Sequence, residues 1–450
     1  MDGDCAFIAG SGLRDCIRLS KNLFTSESGP EIAIQSSPKE RTMIDPPVSI
    51  HRASGTDAIS AWDRHIGAFV SLADGSADQL SGPLAGRTVA VKDIINVAGF
   101  PTKNGSRTQE NTPVAAHDAP VVAHLRAAGA IVVGKTVTTE YAFTDPTPCR
   151  NPFGLEYSPG GSSSGSGAAV GAGVVDIALG TQTAGSLIRP AAYCGAVGFK
   201  PGCGVLEMEG VTPLSPSYDM VGVIARNLDF AADAFAVMTG DFAKSSAAPL
   251  RAGRVVLSDD AGLDADRLAA FEAGSEAVAT YLGRVETLRP EFDLTQVVTD
   301  HRTVMCAEAA IAHANLLNDA TQNLLMPNFR EALLTGARIT PDESASAKRR
   351  LADTAAEFWQ HNADIDVIVT PPVPQGPPRL GTTTGYQHWL TVWTVLGGPL
   401  LCLPWGLDAK GLPISVMLAG RPGQDSGLLE FGQKIAAIAP HTPRPKLPSV

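Results

Sequence analysis

The chain has 450 residues and a formal net charge of −11, which leaves no excess of Lys and Arg for a nucleic acid or an anionic membrane face. Its 44% apolar content excludes a disordered chain, and no apolar run reaches the roughly 18 residues of a membrane-spanning helix. Seven cysteines form an odd set without a C-x-x-C pair, so neither a disulfide framework nor a zinc site is expected. With acidic residues in the opening MDGDCAFIAG, where a signal peptide carries basic ones, the expected location is cytoplasmic.

Residues 1–50 carry Pro, Ser and Gly without a sustained period, and are expected to form an irregular N-terminal extension to a domain over 51–450. From there helical and strand patterns alternate. Ala58–Leu72 reads as a helix, and Arg87–Val91 as a strand ending at Lys92. Asp118 is placed to cap the helical APVVAHLRAAG. Further on, Arg254–Leu257 reads as a strand and Leu263–Leu282 as a helix. Thr340, Pro341 and Glu343 form a capping box opening a helix to about His361, and Asp366–Thr370 reads as a strand. Strands separated by helices predict an α/β fold, a large mixed sheet surrounded by helices.

The stretch GAIVVGKT, Gly129–Thr136, fits the phosphate-loop pattern G-x-x-x-x-G-K-[ST]. A phosphate loop must follow a strand and open a helix. Here a helical pattern precedes Gly129, and Ile131-Val132-Val133 has the character of a buried strand. A helix–Gly–strand connection is the expectation, and a nucleotide hydrolase the minority reading.

The informative region is Tyr157–Gly195, YSPGGSSSGSGAAVGAGVVDIALGTQTAGSLIRPAAYCG. Its Gly/Ser cluster has the composition of a flexible linker, but small apolar residues follow at once, as in tightly packed core. Gly161–Gly165 also matches the G-x-S-x-G nucleophile elbow. That motif needs a preceding strand and a histidine base, and none of the nine histidines sits in a motif. A neutral lysine is the other way to activate a serine. Lys92, ending the apolar strand VAVK, is either such a base or an ordinary solvated strand end; burial would lower its pKa.

VAVKDI, PGGSSSGSGAAVGAG and GTQTAGSLIRPAAYCGAVGFKP together resemble the amidase signature family of Ser–Ser–Lys amide hydrolases, over roughly residues 50 to 435. The resemblance implies the amidase signature fold. It implies Lys92 as catalytic lysine, Ser162 as bridging serine after a cis peptide, and Ser186 as nucleophile. It implies an oxyanion hole from the N–H groups of Thr183, Ala184, Gly185 and Ser186. Thr181 and Ser163 are either supports of this network or ordinary loop hydroxyls.

Three positions depart from the common family pattern. Gln182 stands where Asp is usual, Ala184 where Gly is usual, and Ile188 where Arg is usual, with Arg189 one place later. This variant is most similar to the malonamidase branch, which implies that Arg189 reads a substrate carboxylate. An Arg paired to a structural acid is the competing reading.

The expected activity is therefore hydrolysis of a small amide, such as a malonamate-like one, without metal or organic cofactor. The expected partners are the small-molecule substrate and at most a second copy of the chain as a homodimer, with no nucleic acid and no membrane. The alternatives are the catalytic component of a tRNA-dependent amidotransferase and an esterase or hydrazidase on the same fold.

Overall fold

The structure is a computed structural model and describes residues 52–74, 81–240, 251–257 and 262–448. The chain divides into two units, Met1–His51 and Arg52–Val450, and only the second contains described residues. The expected N-terminal extension, with Cys5 and Cys16, therefore lies outside them.

Eleven strands among the described residues form one sheet. They are β1 (Phe69–Leu72), β2 (Thr88–Lys92), β3 (Ile131–Thr136), β4 (Ile177–Gln182), β5 (Val197–Lys200), β6 (Met220–Ala225), β7 (Ala252–Arg254), β8 (Val285–Thr287), β9 (Val367–Thr370), β10 (Leu400–Leu407) and β11 (Pro413–Gly420). The helices are α1 (Arg52–Ile66), α2 (Pro120–Ala127), α3 (Ser164–Gly171), α4 (Ile188–Tyr193), α5 (Leu228–Thr239), α6 (Ala265–Leu282), α7 (Leu294–Ala312), α8 (Pro327–Gly336), α9 (Pro341–His361), α10 (His388–Val395) and α11 (Asp425–Ala436). The strand order is β1-β3-β2-β4-β6-β5-β10-β11-β9-β7-β8. β2 runs parallel to both β3 and β4, while β4–β6, β6–β5, β5–β10 and β10–β11 are antiparallel, so the sheet is mixed, as expected.

Strand alternation separates two apolar layers. Val89, Val91, Ile177 and Leu179 pack in one, with Val121, Val122 and Leu125 of α2 and Phe235 of α5. Ala90 and Ala178 pack in the other, with Ala168 and Ala169 of α3, Ala191 of α4 and Trp393 of α10. The Gly/Ser cluster is no linker: every residue of α3 is buried. A methyl on Gly167 would strike Pro190, and one on Gly171 would strike the Cys194 carbonyl, so glycine at this four-residue spacing lets α4 lie backbone-to-backbone on α3.

Several local readings of the sequence are corrected. The helix expected over Ala58–Leu72 spans Arg52–Ile66, and Phe69–Leu72 is β1, paired antiparallel with β3. Gly67 takes the left-handed conformation at φ 57°, and Asp63 accepts from the N–H groups of Ala68 (2.6 Å) and Phe69 (3.1 Å), turning the chain out of the helix. Asp118 does not cap α2, whose N-cap is Ala119. Its carboxylate accepts from Ala98 N–H (2.8 Å) and pairs with Arg126 (3.0 Å), one residue too early for the helix that Pro120 opens. The strand expected at Arg254–Leu257 lies at Ala252–Arg254, and the helix expected from Leu263 starts at Ala265 behind the cap Asp264. The capping box at Thr340 and Glu343 is present as read.

GAIVVGKT is the helix–Gly–strand connection. Gly129 has φ +90° after α2, and Ile131–Thr136 is β3, hydrogen-bonded on both edges to β1 and β2. A strand held on both sides cannot wrap a phosphate. Among the described residues no helix is long and apolar enough to cross a membrane, no cluster of His, Cys, Asp or Glu could hold a metal, and the five cysteines are free thiols.

Candidate active site

β2 and β4 are parallel neighbours, so their C-terminal ends lie side by side, where parallel sheets place ligands. Lys92 ends β2, and the loop Thr183–Ser186 leaves β4. α3 begins beside them. Gly161 and Ser162 are joined by a cis peptide, as the resemblance implied.

Lys92 is fully buried, and its Nζ donates to Ser162 Oγ at 2.6 Å and Thr181 Oγ1 at 2.7 Å. Its hydrogen bonds go to hydroxyls alone. Burial pushes the ammonium well below the usual 10.5; the nearby Arg189 charge adds to this, and Asp219 opposes it. Lys135, on the adjacent strand, shows the contrast. It is equally buried but forms an ion pair with Asp93 at 2.9 Å and donates to Pro101 O and Thr102 Oγ1. Lys200 is also buried and pushed down to about 8, but its donors are spent on the carbonyls of Pro201 and Gly398. Of these three lysines only Lys92 has a pKa lowered by burial and side-chain partners that are hydroxyls alone.

The serine run is sorted in the same way. Ser163 Oγ donates to Thr181 O (3.3 Å), Ser164 Oγ to Gly160 O (2.7 Å) and Ser166 Oγ to Leu179 O (2.9 Å). Each ties the backbone, whereas Ser162 Oγ meets the lysine. Ser163, the centre of the G-x-S-x-G match, is thus committed to β4, and no strand precedes it. Ser186 is attached through its backbone, its carbonyl accepting from Ser163 N–H at 3.1 Å. At 6% exposure it is the most open of Lys92, Ser162 and Ser186, and its hydroxyl makes no hydrogen bond among the described residues.

In the loop between β4 and α4 each carbonyl from Thr183 to Ser186 has a hydrogen-bond partner. The Thr183 carbonyl meets His301 Nε2 of α7 at 2.8 Å. The Ala184 carbonyl accepts from Thr394 Oγ1 of α10 at 2.6 Å, the Gly185 carbonyl from Arg189 N–H at 3.1 Å, and the Ser186 carbonyl from Ser163 N–H. The amides of Ala184, Gly185 and Ser186 donate to no group among the described residues. Neighbouring N–H groups left free in a buried turn are what a developing oxyanion requires.

Gln182 ties the end of β4 to the start of α4 and to α10. Its Oε1 accepts from the N–H groups of Leu187 (3.2 Å) and Ile188 (3.0 Å), and its Nε2 donates to Thr394 Oγ1 (3.0 Å). Asp219, Thr394 and His301 were not singled out in the sequence. Asp219 accepts from Thr183 Oγ1 at 2.5 Å and from Leu214 and Ser215 N–H, and burial raises its pKa.

Arg189 is 1% exposed. Its Nε and Nη2 donate to Gly161 O (3.0 and 2.5 Å), and its Nη1 to Gly385 O (2.6 Å) and Gln387 Oε1 (3.4 Å). Among the described residues it pairs with no acid, so the structural-acid reading does not describe it. Burial lowers its pKa to about 10. Of the five guanidinium N–H donors one, on Nη2, remains.

This arrangement has counterparts in known proteins. The Amidase family description matches residues 67–263 and 269–429. The chain belongs to the amidase family. It is 32% identical to 2-amino-5-chloromuconic acid deaminase of Comamonas testosteroni over 85% of this chain and 88% of the relative. It is 30% identical to a component of the glutamyl-tRNA(Gln) amidotransferase of Halobacterium salinarum over 77% of this chain and 93% of the relative. Among solved structures, 6-aminohexanoate cyclic dimer hydrolase superposes with a TM-score of 0.79 at 25% identity, covering 89% of this chain and 96% of that one. This amidase-family chain is accordingly a hydrolase of that class, and its neighbours share its mixed α/β architecture.

Proposed function

We propose that this amidase-family chain hydrolyses the C–N bond of a small linear amide, with a carboxylate-bearing, malonamate-like amide as the first candidate. The observation that carries this reading is the 2.6 Å contact between Ser162 Oγ and Lys92 Nζ, a lysine whose pKa burial holds low. A neutral amine can take a proton, which an ammonium cannot.

Ser186 Oγ attacks the carbonyl carbon, and its proton passes through Ser162 to Lys92. The oxygen that gains the negative charge is received by the free N–H groups of Ala184, Gly185 and Ser186. Removing one such donor costs about 2.7–4 kcal/mol of barrier in comparable sites. The C–N bond then breaks, and the departing nitrogen takes the relayed proton. Water reverses the sequence on the acyl-enzyme and releases the acid. No metal or cofactor has a role in these steps. Arg189 supports the carboxylate part of the reading. It is a buried cation with one free N–H and no acid partner among the described residues, so an anionic substrate group would neutralise it.

The test is ammonia release from a panel of small amides, malonamate and malonamide included, by the purified chain and by Ser186→Ala. Turnover by the chain alone, abolished in the variant, is expected, and it also excludes an obligate amidotransferase assembly. Turnover of only esters or hydrazides would remove the amide class. An active Ser186→Ala variant would remove the mechanism.

A further inference from the structure

The oxyanion loop is gripped at Thr183 from two sides, its hydroxyl by Asp219 and its carbonyl by His301. His301 belongs to neither the relay nor the loop. It comes from the middle of α7, on the far side of a sequence separation of 118 residues. The imidazole is 2% exposed and lies against the Tyr218 ring, with centroids 4.8 Å apart at 49°. A carbonyl oxygen can only accept, so Nε2 must carry the proton. The ring stays neutral, since burial lowers its pKa to about 4.

The direction of this bond matters. The peptide joining Thr183 to Ala184 has its carbonyl on one side and the Ala184 N–H on the other, because a trans peptide is planar with the two groups opposed. Fixing the carbonyl toward α7 aims the Ala184 N–H the opposite way. If that peptide turned over, the hole would lose a donor and gain a carbonyl oxygen in its place. The Ala184 carbonyl is fixed likewise by Thr394, but that orients the next amide, of Gly185.

We infer that His301 is a positioning residue for the reaction: its Nε2–H holds the Thr183–Ala184 peptide so that the Ala184 N–H faces the reacting carbonyl oxygen. This rests on the serine-hydrolase reading above. It predicts an effect on kcat rather than on substrate binding, because the oxyanion forms only after attack.

The experiment uses the full chain and two readouts. One is steady-state turnover of the best amide from the panel. The other is the rate of labelling by a fluorescent alkyl phosphonofluoridate, in which Ser186 Oγ would bond to phosphorus, fluoride leaves, and the phosphoryl oxygen occupies the oxyanion position. His301→Phe keeps a ring against Tyr218 and loses the donor. His301→Gln keeps a neutral N–H donor. The expected result is a fall of tenfold or more in both kcat and labelling rate for His301→Phe, with KM within about threefold. His301→Gln should recover most of the loss. If His301→Phe is not recovered folded, His301→Met takes its place against His301→Gln. A kcat within twofold of wild type in the donor-less variant would overturn the inference, as would a loss confined to KM or one the Gln variant does not recover. Ser186→Ala is run alongside. If it is inert while His301→Phe works normally, only this inference falls; if it turns over substrate, the hydrolase reading falls with it.

Discussion

Gln182 Nε2 donates to Thr394 Oγ1 over 3.0 Å, and Thr394 passes the interaction on by donating to the Ala184 carbonyl at 2.6 Å. Both side chains are buried. A neutral amide thus braces the loop after β4 from within, while α10 braces it from outside. Thr394→Val keeps the shape and deletes both bonds. Leaving the Ala184 carbonyl and Gln182 amide unsatisfied costs about 1–3 kcal/mol. Denaturant curves should show this loss, and kcat should fall about tenfold or more while KM stays near wild type. Thr394→Ser should restore both. Unchanged kcat in Thr394→Val would mean that the loop holds its shape without α10.

The second prediction concerns pH. The proposed relay needs Lys92 neutral, so kcat/KM should fall on the acid side through one proton. Because burial depresses the lysine, the midpoint of that fall should lie well below the ordinary 10.5. Arg189 lowers and Asp219 raises the same group. The residual activity of Arg189→Met should therefore titrate at higher pH than wild type, and that of Asp219→Asn at lower pH. Midpoints that stay fixed in both variants would assign the limb to another residue.

Arg189 itself offers a third. Its side chain carries the carbonyls of Gly161 and Gly385, so any substitution loosens both. What distinguishes a carboxylate reader is selectivity. Arg189→Lys should lose more kcat/KM on malonamate than on malonamide, by about 10-fold or more, since a charged hydrogen bond of this kind contributes about 1.5–3 kcal/mol. Equal losses on both substrates would reduce Arg189 to a structural brace for the peptide at Gly161.

The parts of this site that follow from the sequence are those carried by contiguous residues. VAVK places Lys92 at a strand end, and the small-residue run after Ser162 reads as tightly packed core rather than a linker. The grips on the loop were not legible. Asp219, His301 and Thr394 reach it across separations of 36, 118 and 210 residues. None sits in a local pattern, and a lone buried histidine reads in sequence like any other. The errors at Ala58–Leu72 and Asp118 have the same origin. A glycine ended one helix and a proline opened the other, and those backbone constraints outweighed the side-chain pattern.

The two neighbouring buried lysines should behave oppositely on substitution. Lys92→Met removes the proposed proton acceptor and should abolish turnover. It also removes a buried group with no carboxylate bond, so the protein should be no less stable, or more so. Lys135→Met strands the Asp93 carboxylate, 1% exposed, and should cost about 3–5 kcal/mol. At a temperature where this variant is folded its turnover should stay within a few-fold of wild type. A thermal melt and one rate measurement on each variant decide the matter, and an inert but stable Lys135→Met would move the base to the wrong strand.

The last prediction follows from His301 and acid. Its folded pKa is about 4 against about 6.5 in a free chain. Between those values the unfolded chain takes up a proton that the folded protein refuses, so stability falls as pH falls through that window, and the group has no further effect below it. The full difference amounts to about 3 kcal/mol. Groups near the ring titrate as well, Glu308 on α7 and the Asp300–Arg350 pair among them, but they are common to wild type and His301→Phe. The stability of wild type minus that of the variant should therefore shrink by about 3 kcal/mol between pH 7 and pH 4. Urea unfolding at several pH values measures it directly. Parallel curves for the two proteins would show that the imidazole titrates normally, and so that it is not the dry, neutral donor on which the orientation of Thr183 depends.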